Sequence, residues 1–281
     1  MIGFEPHARD FSVANAIWLA RCAKLSYESD NLINAELSKW GMSAECFESS
    51  INMQAFIASD ESKVIVAFRG TESTQITDWL IDLDTRKSNS NLAAEAGSLG
   101  IWFDVHNGFF DGISSLWIDM ADRITAAAEA EKPVWLTGHS LGAALAMLAA
   151  AKRLEDQLPV SGVYTFGSPR VGGAAFYSEM KKHHPFPNYR FVNHRDAVTR
   201  IPAFVSGYMH QGQVMYFDGQ GGFHPNYDPY RPIIDFFVDL TARFRATFAG
   251  SIQDHSMSKY LELVEAAGAD TIKQLGIPAW L

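Results

Sequence analysis

The pentapeptide GHSLG at 138–142 constrains the fold of this chain more than any other feature of its sequence. An apolar run, PVWLT at 133–137, precedes it, and a run of small residues, AALAMLAAA at 143–151, follows it. The pentapeptide therefore joins a predicted buried strand to a predicted helix. A serine between two glycines in this setting is typical of a nucleophile elbow, where Ser140 would project its hydroxyl from a strained turn. Gly138 and Gly142 would be required because a Cβ there would collide with the neighbouring strand or helix.

Helices and strands alternate along the chain, which predicts an α/β fold built on a mostly parallel sheet. Helical spacing of apolar residues predicts helices over 11–27, 111–130, 141–154, 174–182, 233–248 and 257–267. Short apolar runs predict strands over 53–58 and 63–68, paired as a hairpin, and over 133–137, 160–166, 189–193 and 214–218. Glycine and proline predict a loop over 219–230. Since no repeat or Pro/Ser-rich linker interrupts the pattern, residues 1–281 are predicted to form a single domain.

Composition and charge exclude several classes of protein. The chain is 47% hydrophobic and 20% charged, which is typical of a folded globular protein. It has 23 Lys and Arg against 32 Asp and Glu, a net charge of −9, which argues against nucleic-acid binding. The longest apolar run, 141–151, is too short to cross a bilayer, which needs about 20 residues. Charged residues within 5–10 leave no apolar core for a signal peptide, so we expect a cytoplasmic protein or export by a non-classical route.

Cysteine and histidine spacing predicts neither a metal site nor a cofactor. Cys22 and Cys46 could form at most one disulfide, and we expect two structural thiols. There is no CxxC pair and no Cys/His cluster at zinc-ligand spacing. The pair at 183–184 lies beside two lysines and a proline, which favours an exposed helix end over a ligand pair.

A serine nucleophile requires a carboxylate downstream in the chain. The serine hydroxyl needs an imidazole to take its proton and a carboxylate to fix the tautomer of that imidazole. Asp196 is the first good candidate after Ser140, because it follows directly after the apolar strand at 189–193. The alternative is a turn carboxylate paired with Arg195 or Arg200. Other acids compete less well, since they lie near the Gly/Pro loop or on a predicted helix: Asp218, Asp228, Asp235 and Asp239.

Four histidines after the serine could lie in loops: His194, His210, His224 and His255. The expected chain order is serine, acid, histidine. His255 follows Asp196 and directly precedes the predicted terminal helix, so it is the predicted general base. His210 is its main rival. His139 lies next to the nucleophile in a tight turn and is expected to donate a hydrogen bond behind the site or to pack in the core.

Six segments of the chain, in order, resemble the class 3 lipases, the family that contains the filamentous-fungal triacylglycerol lipases and their bacterial and plant relatives. The resemblance covers about residues 64–260. Its segments are FRGT (68–71), VHNGF (105–109), GHSLGA (138–143), TFGSPRVG (165–172), VNHRDAVTRIP (192–202) and MHQG (209–212). Six motifs in the same order are very improbable as a chance match.

The resemblance implies an α/β-hydrolase fold and the residues of a catalytic site. It implies the triad Ser140, Asp196 and His255, in agreement with the choice made from the residues themselves. It also implies an oxyanion hole formed by the backbone N–H groups of Thr71 and Leu141, with the Thr71 hydroxyl as a further donor. For Leu141 there is an independent argument, because the residue after the nucleophile starts a helix, where free N–H groups converge.

The resemblance further implies an amphipathic lid after the oxyanion strand, within residues 73–104. Its apolar residues Trp79, Leu80 and Leu83 would contact substrate, although an ordinary surface helix with a buried tryptophan would show a similar pattern. The polar stretch at 84–96 is longer than the family's usual connection. The expected activity is a triacylglycerol lipase acting on a lipid or ester at an oil–water interface. The alternatives are a phospholipase A1, an esterase for feruloyl or other soluble esters, and a catalytically silent interaction protein.

Overall fold

The computed structural model describes residues 3–72, 105–183, 186–202, 207–225 and 253–274. Within these ranges the chain forms an eight-stranded sheet in which strands that follow one another in sequence are neighbours in space. The strands are β1 (Ser43–Glu48), β2 (Gln54–Ser59), β3 (Val64–Phe68), β4 (Val134–His139), β5 (Gly162–Phe166), β6 (Asn188–Asn193), β7 (Gln213–Phe217) and β8 (Phe223–His224).

The direction of the strands divides the sheet into a parallel centre and antiparallel edges. Each adjacent pair of strands between β3 and β7 is parallel. β1, β2 and β3 pair antiparallel, as do β7 and β8, so the predicted hairpin between β2 and β3 is confirmed. The carboxyl ends of the parallel strands all lie on the same side of the sheet, where binding and catalytic residues of open α/β sheets are typically found.

Helices cover both faces of the sheet. They are α1 (Val13–Leu25), α2 (Asp30–Lys39), α3 (Asn107–Glu129), α4 (Leu141–Glu155), α5 (Ala174–Lys182) and α6 (Met257–Gln274). One buried cluster joins the sheet to α3, α4 and α5, and a second joins it to α1, α2 and α6. Successive residues of β4 show this division, since Leu136 belongs to the first cluster and Trp135 to the second. Because β3, β4 and β5 are buried along their whole length, they appear in sequence as apolar runs without alternation.

The structure corrects the predicted elements at four places. α2 and β1 were not predicted, although Ile33 and Leu37 have the i, i+4 spacing of a buried helix face. The predicted loop at 219–230 contains the short strand β8. The last helix was predicted to end at 267, before Gly268, but α6 continues to Gln274. Gly268 is tolerated there because α6 crosses α1 closely, and a Cβ at this position would lie 2.7 Å from Cδ1 of Ile17. The predicted helix at 233–248 lies outside the described residues.

The two cysteines are free thiols. Burial raises the pKa of Cys22 to about 12, so that thiol stays protonated and unreactive at neutral pH. In the part of the chain that the structure describes, no helix combines the length and apolar character needed to span a membrane. Over the same ranges, no cluster of three or more His, Cys, Asp or Glu side chains has a geometry suited to a metal ion.

Candidate active site

Ser140 lies in a sharp turn between β4 and α4. Its backbone has φ 59° and ψ −126°, a conformation that residues with a Cβ rarely adopt. The flanking glycines make the turn possible: a Cβ on Gly138 would lie 2.2 Å from the carbonyl oxygen of Gly142, and a Cβ on Gly142 would lie 2.1 Å from that of Phe68. The Ser140 N–H donates to the carbonyl of Phe166 at 3.1 Å, which ties the turn to β5. The strained elbow expected from the pentapeptide is therefore present.

The Ser140 hydroxyl is enclosed but has no hydrogen-bond partner among the described residues. The residue has no exposed surface, and its Oγ is one of few buried side-chain atoms in the described ranges that lack a partner. A buried polar atom without a partner costs about 1–3 kcal/mol. Such a cost is characteristic of functional sites, where the atom is kept available for a substrate.

His255 and Asp196 form a buried pair beside the elbow. His255 Nδ1 lies 2.8 Å from Oδ2 and 2.9 Å from Oδ1 of Asp196, and the two side chains are 3% and 0% exposed. The carboxylate can only accept, so Nδ1 carries the proton, and in a neutral imidazole Nε2 then has a free lone pair. His255 Nε2 is buried and has no partner in the described residues. A proton acceptor is thus oriented by a carboxylate, as a general base requires.

Two further donors stabilise the buried Asp196 carboxylate. The Val198 N–H donates to Oδ1 at 2.9 Å, and the Tyr260 hydroxyl donates to Oδ2 at 2.6 Å. The Tyr260 oxygen in turn accepts the Asn193 N–H at 2.9 Å. Burial and the nearby Asp196 charge raise the pKa of Tyr260 well above its usual value, so the hydroxyl remains a donor. Together with His255, these groups offset the cost of burying the charge.

Gly167 makes room for the pair, and sequence reasoning did not single it out. It has φ +57°, and a Cβ there would lie 2.8 Å from Asp196 Oδ2 and 2.9 Å from His255 Cε1. The available signal was its position in the TFGSPRVG segment, directly after β5. Tyr260 was also missed, because nothing in the pattern of α6 distinguishes a tyrosine that bonds a carboxylate from one that only packs.

His139 lies behind the pair and is fully engaged. Its Nε2 lies 2.6 Å from the carbonyl oxygen of His255, and its Nδ1 lies 2.7 Å from the Tyr27 hydroxyl. Its ring centroid is 4.4 Å from that of His255. Burial lowers the pKa of His139 well below its usual value; electrostatic interactions with His255 and Lys24 add to this effect, and the hydrogen bond to the His255 carbonyl opposes it. His139 is therefore both a hydrogen-bonding and a packed residue, the two alternatives that the sequence left open.

The other candidate histidines have different partners. His210 Nε2 lies 2.7 Å from the carbonyl oxygen of Thr199. His194 pairs with Asp254 at 3.3 Å, and the exposed His224 pairs with Asp218 at 2.9 Å, a contact that helps to lower the pKa of Asp218 to about 2. Among these histidines, the structure brings only His255 to Asp196.

The carboxyl end of β3 meets the elbow on the opposite side from the acid–base pair. A Cβ on Gly70 would lie 3.1 Å from the Ser140 Cβ, so Thr71 continues directly from the point of contact with the nucleophile. Leu141 is the first residue of α4, where backbone N–H groups have no acceptor within the helix and the positive end of the helix dipole lies. Thr71 therefore follows a residue that contacts Ser140, and Leu141 follows Ser140 itself; their role as an oxyanion hole stays a prediction. The predicted lid residues Trp79, Leu80 and Leu83 lie outside the described residues.

Comparisons with known proteins identify the family. Residues 65–206, about half of the chain, match the family described as lipase (class 3). The chain is 33% identical over 173 residues to secreted mono- and diacylglycerol lipase 1 of Fusarium solani, covering 59% of this chain and 47% of the relative. It is 31% identical over 197 residues to secreted mono- and diacylglycerol lipase A of Penicillium cyclopium, covering 66% and 59%. The chain thus spans about half the length of these relatives.

A solved structure supports the fold. The triacylglyceride lipase of Rhizomucor miehei superposes with a TM-score of 0.61 at 24% identity, over 74% of this chain and 80% of that chain. A sheet with a parallel centre, helices on both faces and a nucleophile elbow after a central strand define the α/β-hydrolase fold, as the resemblance implied. With its sequence match, its fold and its elbow, the chain belongs to the class 3 lipase family.

Proposed function

We propose that this protein is a serine carboxylic-ester hydrolase, a lipase that cleaves acylglycerols, with Ser140 as nucleophile, His255 as general base and Asp196 as the orienting acid. The observation that carries the proposal is the buried contact of 2.8 Å between His255 and Asp196, next to the strained Ser140. Both Ser140 Oγ and His255 Nε2 are buried and lack partners in the described ranges. A proton donor and a proton acceptor are therefore held ready for a reaction.

Acylation begins when Ser140 Oγ attacks the ester carbonyl carbon and its proton passes to His255 Nε2. The new C–O bond converts the carbonyl into a tetrahedral oxyanion. We propose that the N–H groups of Thr71 and Leu141 and the Thr71 hydroxyl donate to this oxygen. Loss of one such donor typically costs about 10²–10³ in rate.

Collapse of the tetrahedral species breaks the bond to the alcohol, which takes the proton from His255 and leaves an acyl group on Ser140. A water molecule then attacks the acyl carbon while His255 Nε2 accepts its proton. The second collapse returns the proton to Ser140 and releases the fatty acid. Asp196 keeps His255 in one tautomer throughout and stabilises the imidazolium that forms twice in each cycle.

Acylglycerols are the proposed substrate class because the relatives are named for them, as mono- and diacylglycerol lipases and as a triacylglyceride lipase. The chain's charge of −9 gives no attraction to anionic membranes, so contact with a lipid surface would depend on apolar residues. The interpretation of 1–281 as one domain with a lid at 73–104 stays a prediction.

The test measures the initial rate of tributyrin hydrolysis through its solubility limit for the wild type, Ser140→Ala and the control Ser43→Ala. Ser43 is an exposed residue of β1 and keeps the matched serine-to-alanine change away from the site. We expect Ser140→Ala to lose at least about 10⁴-fold in rate and Ser43→Ala to match the wild type. A further rate increase above saturation, absent in Ser140→Ala, would support the lid prediction.

Other outcomes would redirect the proposal. Ser140-dependent hydrolysis of a phosphatidylcholine or of methyl ferulate, without cleavage of mono-, di- or tributyrin, would replace acylglycerols as the substrate class. If the wild type and Ser140→Ala were equally inactive on all of these esters, the hydrolase proposal would be wrong and the interaction-protein alternative would gain support.

A further inference from the structure

A buried chain of hydrogen bonds crosses the site beneath the catalytic residues. The Tyr27 hydroxyl packs against Gly70, where a Cβ would lie 2.1 Å from its oxygen, and it lies 2.7 Å from His139 Nδ1. His139 Nε2 then lies 2.6 Å from the carbonyl oxygen of His255. The chain thus links Tyr27, His139 and the His255 backbone. With the Gly70 contact it touches the three segments proposed to hold the oxyanion hole, the nucleophile and the base.

The donor and acceptor of each bond in the chain follow from the carbonyl oxygen of His255 at its end. A backbone carbonyl can only accept, so His139 Nε2 must carry a proton. With a proton on Nε2, the neutral imidazole has a lone pair at Nδ1, which accepts the proton of the Tyr27 hydroxyl. When His139 is neutral and in its Nε2–H tautomer, every donor in this chain has an acceptor, whereas a protonated His139 would offer the Tyr27 proton none.

Close packing leaves these residues little freedom to move. A Cβ on Gly70 would lie 2.1 Å from the Tyr27 hydroxyl oxygen and 2.4 Å from the His139 carbonyl oxygen. The His139 side chain is buried, with its ring 4.4 Å from that of His255. A small displacement of Tyr27 or His139 would therefore be transmitted to Gly70, next to Thr71, and to the backbone of His255.

We propose that Tyr27 and His139 are positioning residues that hold the oxyanion segment and the His255 backbone in register with Ser140. This inference rests on the proposed function, since it assigns these two residues to the same reaction. Neither touches the reacting atoms. Their contribution is to maintain the distances between three segments that come from different parts of the chain, so they affect the rate of acylation more than substrate binding.

The electrostatics of His139 support this role. Burial holds its pKa well below the usual value, so the neutral form that the chain of bonds requires is the one present at neutral pH. When His255 takes the serine proton, a neutral His139 leaves it as the one imidazolium of this pair. A second positive ring 4.4 Å away would oppose the charge that His255 acquires when it takes the serine proton.

The experiment compares Tyr27→Phe, His139→Gln and the double variant in hydrolysis of soluble p-nitrophenyl butyrate. Tyr27→Phe removes the hydroxyl and keeps the ring. His139→Gln keeps a donor near Nε2 and removes the acceptor at Nδ1. Tyr164→Phe is the matched control, because it also removes a buried, hydrogen-bonded tyrosine hydroxyl, here one that accepts the Ser12 N–H away from the site.

We expect Tyr27→Phe to lower kcat by about 10–100-fold with KM changed less than about twofold, and Tyr164→Phe to leave both unchanged. In the His139→Gln background, removing the Tyr27 hydroxyl is expected to lower kcat by less than about threefold, since its acceptor is already absent. Full kcat in Tyr27→Phe, or effects that simply multiply in the double variant, would overturn the proposal.

A second measurement separates this inference from the proposed function. Imidazole ¹⁵N shifts should show a protonated Nε2 and an unprotonated Nδ1 for His139 in Ser140→Ala, a protein without activity, and a changed Nδ1 shift after Tyr27→Phe. The opposite tautomer would contradict the chain of bonds even if the wild type is an active hydrolase. An inactive wild type with the expected shifts would instead reject the proposed function and leave the bonding geometry intact.

Discussion

His139 and His255 are two imidazoles of the same site whose ring centroids lie 4.4 Å apart, yet they differ in whether Nε2 has a hydrogen-bond partner. Both side chains are buried. His139 has a partner at each nitrogen, Tyr27 at Nδ1 and a carbonyl at Nε2. His255 has Asp196 at Nδ1, while its Nε2 has no partner in the described residues. One imidazole is therefore bound at both ends, and the other is bound at one end and open at the other.

This difference indicates which histidine is built for reaction and which for support. An imidazole with both nitrogens engaged has no lone pair to offer a substrate or a nucleophile. One that is oriented by a carboxylate and open at Nε2 can accept a proton from Ser140, and an unsatisfied atom kept at a cost in stability is typical of a functional site. Burial and residue type are the same in both, so the bonding pattern decides the role.

The largest effect on kcat should come from removing His255, the imidazole whose Nε2 has no partner in the described residues. We expect His255→Ala to lower kcat on tributyrin by about 10⁵–10⁶-fold, because the serine then has no base, while His139→Gln loses only about 10–100-fold. Both variants are assayed at pH 8 after circular dichroism has established that each is folded. Equal losses in the two variants would erase the distinction drawn between these histidines.

Sequence predicted the part of the site that is local along the chain. β4, the turn at Ser140 and α4 are contiguous in the chain, and Gly138 and Gly142 indicate the steric requirements of the turn. That region was therefore predictable without a structure. Asp196 and His255 could be ranked by chain order and by their positions relative to a strand and a helix.

The parts that escaped prediction depend on contacts across the fold. Tyr27 lies 112 positions before its partner His139, and Tyr260 lies 64 positions after Asp196. No periodicity marks a tyrosine hydroxyl that finishes near a carboxylate or an imidazole. The same reason explains the error at Gly268, where a close approach of α6 to α1 overrides the helix-ending tendency of glycine.

A Cβ at position 167 tests how strongly activity depends on the exact position of His255 and Asp196. We expect Gly167→Ala to lower kcat by about 10–10³-fold, because the new methyl group would lie 2.8–2.9 Å from Asp196 Oδ2 and His255 Cε1 and must displace them. Gly41→Ala is the matched control. Gly41 also has a positive φ, +76°, but nothing lies within 4 Å of its Cβ position.

Both alanine variants share the backbone strain of a positive φ, about 1–2 kcal/mol. Gly167→Ala also displaces the buried pair, so it should lose more stability than Gly41→Ala in urea titrations. Only the variant at Gly167 should lose activity. If Gly41→Ala lost as much activity as Gly167→Ala, backbone strain alone would account for the result and the contact with the acid–base pair would have no special weight.

The smallest effect concerns His139 and the pH dependence of the free energy of unfolding. His139 has a pKa of about 6.5 in the unfolded chain and one well below that when folded, owing first to burial and then to electrostatic interactions with His255 and Lys24. Below pH 6.5 the unfolded state binds a proton that the folded state does not. The free energy of unfolding must therefore fall as the pH decreases through this range.

We expect His139→Gln to remove this contribution, so that the wild type loses stability more steeply than the variant as the pH falls below 6.5. The difference in slope should be about 1.4 kcal/mol per pH unit, the value for one proton. Urea titrations at pH 7.5, 6.5, 5.5 and 5.0 measure it, and an offset at pH 7.5 reports the lost hydrogen bond separately. Parallel curves for the two proteins would mean that His139 takes up a proton in the folded state as readily as in the unfolded one. Its two bonds would then not enforce neutrality, and the contrast with His255 would rest on geometry alone.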